Sequence, residues 1–521
     1  MSQGGRQTPI RFGTDGWRAV IAEDFTFANL ERVAQAYADY LRQQAKDSSP
    51  PAEEALSGQL VEQGQLSRYE AETNPFRQVI SKAHTDANPS PSNTSLVVVG
   101  YDRRFLSEHF ARRAAEVLAG NDLRVALFDE AVPTPLVSWA VRHLGAAGGI
   151  VITASHNPPD FNGFKIKANF GGSAPPEITA AVESLLDAQA PRRAALNDGA
   201  AHASLHAATA SYCAQIASRV DLERIRQADM RVIIDPMHGS GGRWVESFLR
   251  QGRLEAETIR AERDTLFGGV NPEPIDRNLG PLCERVKATR AHLGLATDGD
   301  ADRVGAVNEL GETMTMHEVV PLLLLHLARR RGMTGGVVRT FSQSVLTKRI
   351  AAAHQLKLYE TPIGFKYIAD LMLREDILLG AEESGGIGVR GHIPERDGIL
   401  NSLLLLEAVV AAGKPPSEMV REMHGEFGEF YFGRRDIHQE VRRGMELVSK
   451  LAAKAPVSVG GHKVRGVETL DGTKLLFDDE SWLLFRQSGT EPVLRIYAEA
   501  TSRAKTNTLL DEGERLALSE R

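Results

Sequence analysis

Short β-branched runs alternate with longer helical patterns through most of this sequence, and that alternation strongly constrains the fold. The runs are four or five residues long and largely apolar, and helical patterns lie between most of them. This arrangement predicts sheets of parallel strands joined by crossover helices. The predicted strands are Leu96–Gly100, Val125–Phe128, Gly148–Ile152, Val232–Asp235, Leu293–Ala296 and Gly336–Thr340.

The pattern changes near Pro456, where short strands separated by turns replace the longer alternation. Asp471-Gly472 is typical of a hairpin turn, and LLFRQ and LRIYAE are typical of its strands. The 521 residues also exceed what one hydrophobic core usually serves, so at about 100 to 200 residues per domain we expect about three to five domains. A segment from about Ala45 to Thr94, rich in Ser, Pro, Gln, Glu and Asn, is predicted to be a surface insertion.

Composition and charge narrow the functional classes. The chain is 42% hydrophobic and 25% charged with a formal net charge of -7, which is ordinary for a globular protein and gives no global signature of nucleic-acid or anionic-membrane binding. Two cysteines cannot build a disulfide framework or a cysteine zinc site. The amino terminus has no signal-peptide core, and the most apolar run, Ile399–Gly413, contains Asn401 and Glu407 and is predicted to be a buried helix. We therefore expect a soluble cytoplasmic protein.

The segment TDGDADR places three carboxylates on alternate positions directly after the apolar run LGLA. Oxygen ligands that converge from one loop suit a hard cation, and a divalent ion relieves the repulsion among them. Together with Glu309, the aspartates also match four ligand positions of a helix-loop-helix calcium loop, but Arg303 stands where that loop needs glycine and the flanks resemble strands. A catalytic metal loop, a calcium loop and a solvated acidic turn remain the alternatives. The three aspartates are Asp298, Asp300 and Asp302.

The segment TASHNPPD places a serine at the end of another apolar run, GGIVI. Ser155 and His156 are adjacent there, and two prolines delay any following helix. The sequence has no G-x-x-x-x-G-K-S/T loop, no G-x-G-x-x-G that follows a strand and opens a helix, and no G-x-S-x-G around Ser155. Because Arg303 beside the carboxylates can bind an oxyanion through two hydrogen bonds, the sequence predicts phosphate chemistry built on a metal loop.

Two further segments suit a phosphorylated sugar. RQSGTEP offers a guanidinium, two hydroxyls and a glycine backbone, the groups that a phosphomonoester dianion needs, although the same letters are typical of a hairpin turn. In LGAEESGG, two glutamates and a serine precede two glycines. Carboxylates accept hydrogen bonds from neighbouring sugar hydroxyls, but EES is equally typical of a helix cap.

Together these segments resemble the α-D-phosphohexomutase superfamily, the phosphoglucomutase and phosphomannomutase group, and most of all its bacterial or archaeal phosphoglucomutases. The resemblance covers essentially the whole chain apart from the segment 45–94. The matching segments, in chain order, are FGTDGWRA, GYDRR, TASHNPPDFNGFKI, DPMHGSGG, GGVNPEP, TDGDADR, TPIGFKYI, EESGG and RQSGTEPVLRIY.

The resemblance implies a specific architecture. It implies three similar mixed-sheet α/β domains followed by a smaller α+β domain, arranged in a heart shape around a central cleft. The expected domains are 1–200 with the phosphoserine loop, 201–312 with the metal loop, 313–425 with the sugar-binding loop and 426–521 with the phosphate-binding loop.

The resemblance also implies a reaction. In that family a phosphoserine donates its phosphoryl group to one end of a sugar monophosphate and takes a phosphoryl group back from the other end of the bisphosphate. His156 then orients the site or is only structural, and Lys366 moves the proton of the acceptor hydroxyl or is a plain surface lysine. The implied catalytic residues are Ser155, His156, Lys165, Arg18 and Lys366, and the implied ligands of one Mg²⁺ are Asp298, Asp300, Asp302 and Ser155.

Recognition is expected to divide between a sugar end and a phosphate end. Glu382 and Ser384 would bind ring hydroxyls, while the RQSGTEP segment would hold the phosphate that does not react. The implied substrate-binding residues are Arg303, Thr361, Gly364, Glu382, Ser384, Arg486, Ser488, Gly489 and Thr490.

The sugar-binding loop carries the expectation about substrate. It reads Glu-Glu-Ser in phosphoglucomutases, Glu-Met-Ser in dual mannose and glucose enzymes and Glu-Gln-Ser in phosphoglucosamine mutases, so EES predicts conversion of glucose 1-phosphate and glucose 6-phosphate through glucose 1,6-bisphosphate. The dual and glucosamine enzymes follow this loop with Gly-His, whereas here it ends in Gly385-Gly386. The alternatives are a phosphomannomutase or dual enzyme, a phosphoglucosamine mutase, and a catalytically silent sugar-phosphate binder. Hexose phosphates are the expected partners, nucleic acid and membrane are not, and the chain is expected to be a monomer or homodimer.

Overall fold

The computed structural model of the chain describes residues 10–13, 15–47, 93–196, 199–488 and 492–519. Contacts divide it into two compact units, Met1–Ala154 with Asp160–Cys213, and Ser155–Pro159 with Ala214–Arg521. Most of the predicted insertion lies outside the described residues. Its ends are not irregular, because a helix continues to Asp47 and a strand begins at Asn93.

The first unit contains one five-stranded mixed sheet and its helices. The strands are β1 (Trp17–Val20), β2 (Asn93–Tyr101), β3 (Arg124–Leu127), β4 (Ala146–Ile152) and β5 (Phe161–Ala168). The helices are α1 (Phe27–Asp47), α2 (Ser107–Ala119), α3 (Thr134–His143), α4 (Pro176–Ser184) and α5 (Gly199–Arg219), the last of which continues into the second unit. The strand order is β1-β5-β4-β2-β3, with β2, β3 and β4 parallel and β1 and β5 antiparallel to their neighbours.

Two α/β sheets follow in the second unit. The first has the order β10-β9-β8-β6-β7 and the second β12-β11-β13-β14, with β6 (Arg231–Asp235), β7 (Glu255–Thr258), β8 (Leu293–Thr297), β9 (Val304–Val307), β10 (Thr313–Met314), β11 (Gly336–Thr340), β12 (Leu358–Thr361), β13 (Ile377–Ala381) and β14 (Ile387–Val389). Their helices are α6 (Leu222–Arg226), α7 (Trp244–Leu249), α8 (Gly280–Thr289), α9 (Met316–Leu325) with a π-helical turn at His326–Arg330, α10 (Val345–Ala353), α11 (Phe365–Arg374), α12 (Gly398–Ala412) and α13 (Pro416–Phe427).

The last sheet is antiparallel throughout and packs against two helices. Its order is β15-β20-β19-β18-β17-β16, with β15 (Tyr431–His438), β16 (Ser458–Val459), β17 (His462–Glu468), β18 (Thr473–Phe477), β19 (Trp482–Gln487) and β20 (Val493–Ala500). The helices α14 (Val441–Ala453) and α15 (Arg503–Leu518) cover it, and apolar residues of both helices join its core. The architecture is therefore three mixed-sheet α/β domains followed by an α+β domain.

The three α/β sheets repeat one local design. In each, a strand in parallel pairing is followed by a strand that returns antiparallel beside it: β4 by β5, β8 by β9 and β13 by β14. The loops between these strands contain TASHNPPD, TDGDADR and EESGG respectively. The repeat therefore places each of three motifs at the carboxyl end of a parallel strand, where open α/β sheets bind ligands.

All six strands predicted from apolar runs are present, with ends that shift by at most three residues. The parallel pairing expected from the apolar runs is present, and β5, β9 and β14 run antiparallel beside it, so each sheet is mixed, as the resemblance implied. Helix α12 is buried on nearly all sides, as its continuous apolar run predicted. Among the described residues no single helix is long and apolar enough to span a membrane, and α12 with α13 passes that test only as a pair bent by 79°.

Candidate active site

The serine loop begins where β4 ends, and Ser155 is its structural centre. Ser155 is 1% exposed and has a positive φ of 52°, a left-handed conformation that is uncommon for a residue with a side chain. Its Oγ donates a hydrogen bond to Oδ2 of Asp298 at 2.7 Å, and Nδ1 of His156 lies 3.4 Å away from the same Oγ. The fold therefore brings the predicted nucleophile directly to the predicted metal loop.

The metal loop connects β8 to β9 and is fully buried at its aspartates. Asp298 caps the loop from within, since its Oδ1 accepts hydrogen bonds from the backbone N–H groups of Asp302 and Arg303 at 3.0 and 3.1 Å. Ala301 takes a left-handed φ of 59° that turns the chain back on itself. The loop thus holds its own shape through hydrogen bonds from its backbone N–H groups to the side chain of Asp298.

The three aspartates fit a divalent cation. One ligand oxygen of each of Asp298, Asp300 and Asp302 lies within 4.8 Å of the others, and all three residues are 0% exposed. Burial, reinforced by the other two carboxylates, raises the pKa of Asp298 well above its usual range. A bound hard cation would relieve this electrostatic cost, and the all-oxygen donor set suits Mg²⁺ better than a soft metal. The strands on both sides exclude the helix-loop-helix calcium alternative.

Two glycine-rich segments support this loop through backbone contacts, although their sequences indicated no role at the site. The backbone N–H of Ser240 donates to the carbonyl of Gly299 at 2.9 Å, and the N–H of Gly299 donates to the carbonyl of Pro272 at 3.1 Å. A Cβ on Gly299 would lie 2.4 Å from the carbonyl oxygen of Ser155, and one on Gly239 would lie 2.7 Å from the carbonyl oxygen of Gly299. The segments DPMHGSGG and GGVNPEP therefore act as supports of the metal loop, and the glycines allow the contact.

Arg396 also belongs to the site, although no sequence motif pointed to it. It is 5% exposed, and its Nη2 lies 2.9 Å from Oδ2 of Asp302 while its Nη1 lies 3.7 Å from Oε2 of Glu382. The guanidinium therefore joins the metal loop to the sugar-binding loop. A lone arginine in PERDG gave no signal of this contact, because the partners are distant in the sequence.

The sugar-binding loop connects β13 to β14 and lies against the metal loop. The backbone N–H of Val304 donates to the carbonyl of Gly385 at 3.1 Å, and Arg303 pairs with Gly386 in an isolated β-bridge. Arg303 itself is 8% exposed, with Nη1 3.9 Å from Oε1 of Glu273. The two predicted loops are therefore one connected structure.

Glu382 and Glu383 occupy different environments although they are adjacent. Burial, with a smaller contribution from Glu383, raises the pKa of Glu382 to about 7 despite the opposing charge of Arg396. Glu383 instead accepts a hydrogen bond from Oγ of Ser342 at 2.7 Å. Ser384 is half-buried beside them. No helix begins in this loop, so the helix-cap alternative is wrong.

The structure explains why this loop ends in Gly385-Gly386. Gly385 has a φ of 92°, and a Cβ on Gly386 would lie 2.4 Å from Cδ of Arg396. A histidine cannot occupy this position while Arg396 keeps its place. The close approach of Arg396 is therefore the structural reason why position 386 has no room for a side chain.

The segment TPIGFKYI lies between the last two sheets of the second unit. Thr361 ends β12 and is 6% exposed, and Gly364, with a φ of 138°, precedes α11. Lys366 lies in the first turn of α11, with Nζ 5.1 Å from the ring centre of Tyr367. The backbone N–H of Ile363 donates to Oδ2 of Asp471 at 2.8 Å, so the segment is attached to the fourth sheet.

The same Asp471 positions the predicted phosphate clamp. Its Oδ1 accepts a hydrogen bond from Nε of Arg486 at 3.0 Å. Arg495 lies opposite Arg486 on β20, and Arg434 lies on the adjoining strand β15 opposite Tyr497. Arginines on three neighbouring strands thus form a cationic face. Ser488 is 3% exposed at the end of β19, while Gly489 and Thr490 lie outside the described residues.

Arg18 and Lys165 belong to the first unit, on the adjacent strands β1 and β5. Lys165 is 0% exposed, and its Nζ lies 2.8 Å from Oδ2 of Asp15. Nη2 of Arg18 lies 4.0 Å from the same oxygen. Gly16 makes this approach possible, since its φ is 101° and a Cβ there would lie 2.7 Å from the carbonyl oxygen of Phe164. One carboxylate therefore holds both predicted cations, a role for Asp15 that the sequence did not indicate.

Comparisons with known proteins agree with this geometry. Models of the four domains of phosphoglucomutase/phosphomannomutase, namely alpha/beta/alpha domains I, II and III and the C-terminal domain, match residues 65–193, 210–311, 316–427 and 439–515. The first match begins inside the segment that was predicted to be an insertion. A phosphoglucomutase/phosphomannomutase of Thermococcus kodakarensis is 34% identical over 421 residues, which are 81% of this chain and 89% of that protein.

Other relatives differ in their named sugar. A phosphoglucosamine mutase of Moorella thermoacetica is 30% identical over 434 residues, covering 81% of this chain and 90% of that protein. A crystal structure of a Thermus thermophilus protein assigned as a phosphomannomutase is 35% identical with a TM-score of 0.79, covering 98% of this chain and 99% of that one.

These matches establish the class. The chain belongs to the phosphoglucomutase/phosphomannomutase family of phosphohexomutases. It is an enzyme of intramolecular phosphate transfer, and the catalytically silent alternative is set aside.

Proposed function

We propose that the enzyme interconverts glucose 1-phosphate and glucose 6-phosphate through a phosphoserine at Ser155 and a glucose 1,6-bisphosphate intermediate. The observation that carries the proposal is the 2.7 Å hydrogen bond from Oγ of Ser155 to Asp298, one of three buried aspartates at the end of β8. A serine hydroxyl fixed against a cation-binding loop suits phosphoryl transfer, since such transfer depends on positioning and charge neutralisation.

The proposed roles near Ser155 follow from its contacts. Phosphorylated Ser155 and the three aspartates would hold one Mg²⁺, which supplies charge neutralisation at the transferring phosphoryl group. The bond between phosphorus and Oγ of Ser155 breaks as phosphorus bonds to a sugar hydroxyl oxygen, and the hydroxyl proton leaves. Lys366 is the group proposed to handle that proton, and His156, 3.4 Å from Oγ, is proposed to orient the serine.

Arg18 and Lys165 are the proposed cations for the transition state. Lys165 is fully buried, and Asp15 fixes its Nζ at 2.8 Å, so its charge is held in one position. A pre-positioned cation costs no reorganisation when charge develops on the phosphoryl oxygens. This supports a role in transfer over a structural role alone.

Recognition of the two ends is assigned to the sugar-binding loop and the cationic face. Glu382 and Ser384 would accept and donate hydrogen bonds to ring hydroxyls, and Arg303, Thr361 and Gly364 would line the path between the loops. The nonreacting phosphate would bind Arg486, Ser488, Gly489 and Thr490. Asp471 supports this division, because it contacts both Arg486 and the segment that precedes Lys366.

A second candidate is the corresponding reaction of glucosamine phosphates. The relative from Moorella thermoacetica, named a phosphoglucosamine mutase, favours it. Glu383 stands against it, because the phosphoglucosamine mutases that this loop was compared with carry glutamine at that position. The domain limits near residues 200, 312 and 425, the cytoplasmic location and the oligomeric state stay predictions.

A coupled assay decides between the sugars. Purified enzyme is supplied with Mg²⁺, a trace of the matching bisphosphate and the 1-phosphate of glucose, mannose or glucosamine. We expect the highest kcat/KM with glucose 1-phosphate, and a loss of about 10⁴-fold or more in Ser155→Ala. Ser458→Ala, on the exposed strand β16, is the matched control and should keep full activity.

Two outcomes count against the proposal. Full activity in Ser155→Ala would remove the covalent mechanism. A kcat/KM highest with glucosamine 1-phosphate, and lost in Ser155→Ala, would retain the mechanism and transfer the proposal to the second candidate.

A further inference from the structure

A cavity of about 670 Å³ lies in the second unit outside the residues of the candidate active site. Its size falls within the usual range of small-molecule sites. It opens where the end of α5, helix α6, the π-helical turn after α9 and the last turns of α12 meet. The lining residues include Arg219, Asp221, Arg224, His326, Arg330, Arg331 and Glu407.

The π-helical turn places several of these side chains at the cavity. The backbone N–H of Arg331 donates to the carbonyl of His326 at 3.0 Å, so residue i+5, and not residue i+4, stacks over residue i. This wider turn lets His326, Arg330 and Arg331 all line the same cavity, which an α-helical turn of the same residues would not allow. Single π-helical turns are rare in proteins, and many of those that occur lie at functional sites.

Glu407 lies in the wall of the cavity, and neighbouring residues already use its hydrogen-bonding capacity. It is 4% exposed and accepts hydrogen bonds from Nε2 of His326 at 2.9 Å, Nε of Arg331 at 2.8 Å and the backbone N–H of Asp221 at 3.0 Å. Burial alone would raise the pKa of Glu407, but the bonds from His326 and Arg331 hold it at about 2. This carboxylate therefore balances the charge of Arg331 and forms no ion pair with the other described arginines of the cavity.

Three arginines at the cavity contact no carboxylate side chain in the described part of the chain. Nη1 of Arg330 and Nη2 of Arg224 both donate to the carbonyl oxygen of Ala411, at 2.9 and 3.5 Å, which draws two like charges together. Nε of Arg219 is buried without a hydrogen-bond partner in the described part of the chain. Within that part, neither these two arginines nor Arg219 forms an ion pair, since the side chain of Asp221 instead caps α6.

Converging guanidinium groups around a cavity are the arrangement that binds phosphate. We propose that this cavity is a second anion site that binds a small phosphate-bearing molecule through Arg219, Arg224 and Arg330. The site stands apart from the distal phosphate clamp on the fourth sheet, whose arginines lie on different elements.

Titration calorimetry with inorganic pyrophosphate tests the site. The full chain is titrated at about 0.15 M salt, where nonspecific attraction between exposed charges is largely screened, and without Mg²⁺. We expect two sites per chain, one in the candidate active site and one in the cavity. In Arg224→Gln/Arg330→Gln one of these two sites should weaken at least about tenfold while the other keeps its affinity, because charge-assisted hydrogen bonds are lost only in the cavity.

A charge-matched control separates this site from general attraction. Arg421→Gln/Arg442→Gln removes the same two charges from exposed positions that do not line the cavity and should bind like the wild type. Turnover of the substituted enzyme should stay at the wild-type value, which verifies folding. Binding in Arg224→Gln/Arg330→Gln that is unchanged from the wild type would overturn the proposal, and so would equal weakening in both double variants.

Discussion

Residues of the candidate active site differ in how neighbouring groups stabilise the charge of each side chain. Glu382 shows this clearly, since burial raises its pKa to about 7 while Glu383, one position further, accepts from the hydroxyl of Ser342. A carboxylate accepts hydrogen bonds from two ring hydroxyls, whereas the protonated acid must donate with one oxygen. The ionised form is therefore the one that suits sugar binding.

The kcat/KM of the enzyme for glucose 1-phosphate should rise with pH and level off above about 7. The sign follows from the pKa of Glu382, because the residue gains its charge as the pH rises through that value. Glu382→Gln should remove this break and lower kcat/KM by about 10- to 100-fold, as charge-assisted hydrogen bonds are lost. Glu383→Gln is the control and should keep the break but move it to lower pH, because the charge of Glu383 contributes to raising the pKa of Glu382. A wild-type break that persists in Glu382→Gln would assign it to another group.

Arg396 should set the position of that break. Its guanidinium, 3.7 Å from Oε2 of Glu382, is the main group that lowers the pKa of this carboxyl against burial. Arg396→Gln should therefore shift the break to higher pH, which a purely structural role would not do. The surface variant Arg390→Gln, which breaks the ion pair with Asp376, should leave the profile in place. An unmoved break in Arg396→Gln would restrict Arg396 to a structural role.

At the scale of elements, three loops at equivalent positions carry the motifs, and two of them, the serine and metal loops, touch at one glycine. A Cβ on Gly299 would lie 2.4 Å from the carbonyl oxygen of Ser155 and 3.0 Å from Cγ of Pro272. The serine loop is therefore seated on the metal loop through backbone contacts, and the geometry of transfer depends on them.

Gly299→Ala should lower kcat by about 100-fold, because a displacement near 1 Å costs that much in a reaction that depends on alignment. KM should change less than kcat, since a Cβ on Gly299 would meet Ser155 and Pro272 and not the sugar-binding loop. Steady-state kinetics with glucose 1-phosphate check both values. Gly280→Ala is the matched control, because a Cβ there would meet nothing within 4 Å. Equal kcat values in the two variants would show that the serine loop does not depend on this contact.

The elements also show how far sequence reasoning extends. Apolar runs located the strands, because burial imposes composition directly on them, and three loops were found from the polar residues that follow such runs. The apolar runs did not reveal strand direction, because a buried strand has the same composition whether it pairs parallel or antiparallel. The antiparallel pairing of β5, β9 and β14 was therefore not predictable from composition. Asp15 and Arg396 were missed for a related reason. Their partners, Lys165 and Asp302, are far away in sequence, so only the fold brings the charges together.

At the scale of the whole molecule, one buried carboxylate makes several of the hydrogen bonds that attach the fourth sheet to the third α/β domain. Glu499 on β20 is 0% exposed and accepts hydrogen bonds from Oγ of Ser344 at 2.6 Å, the backbone N–H of Val345 at 2.9 Å and Nε1 of Trp482 at 3.0 Å. Nδ1 of His317 on α9 lies 2.9 Å from its Oε1. Burial opposes ionisation, but His317 and these donors lower the pKa of Glu499 below its usual value.

Glu499→Gln should therefore loosen the fourth sheet at neutral pH by about 1.5 to 3 kcal/mol, because a neutral amide replaces a buried carboxylate that accepts several hydrogen bonds. Because the folded-state pKa is lowered, the contribution of Glu499 is complete above its unfolded value of about 4.3 and is lost as the pH falls through the folded-state value. Hydrogen exchange measures the effect, with faster exchange expected in β19, β20 and the first turn of α10.

The surface ion pair between the same two parts provides the comparison. Glu480 contacts Arg349, but the side chain of Glu480 is 40% exposed. Glu480→Gln should therefore change the free energy of opening that hydrogen exchange measures by less than about 1 kcal/mol. If both variants exchange alike, the attachment is distributed over the apolar contacts. If only Glu499→Gln loosens β19 and β20, the cationic face that begins at Arg486 is held in place by a carboxylate on the neighbouring strand, and kcat/KM for glucose 1-phosphate should fall with it.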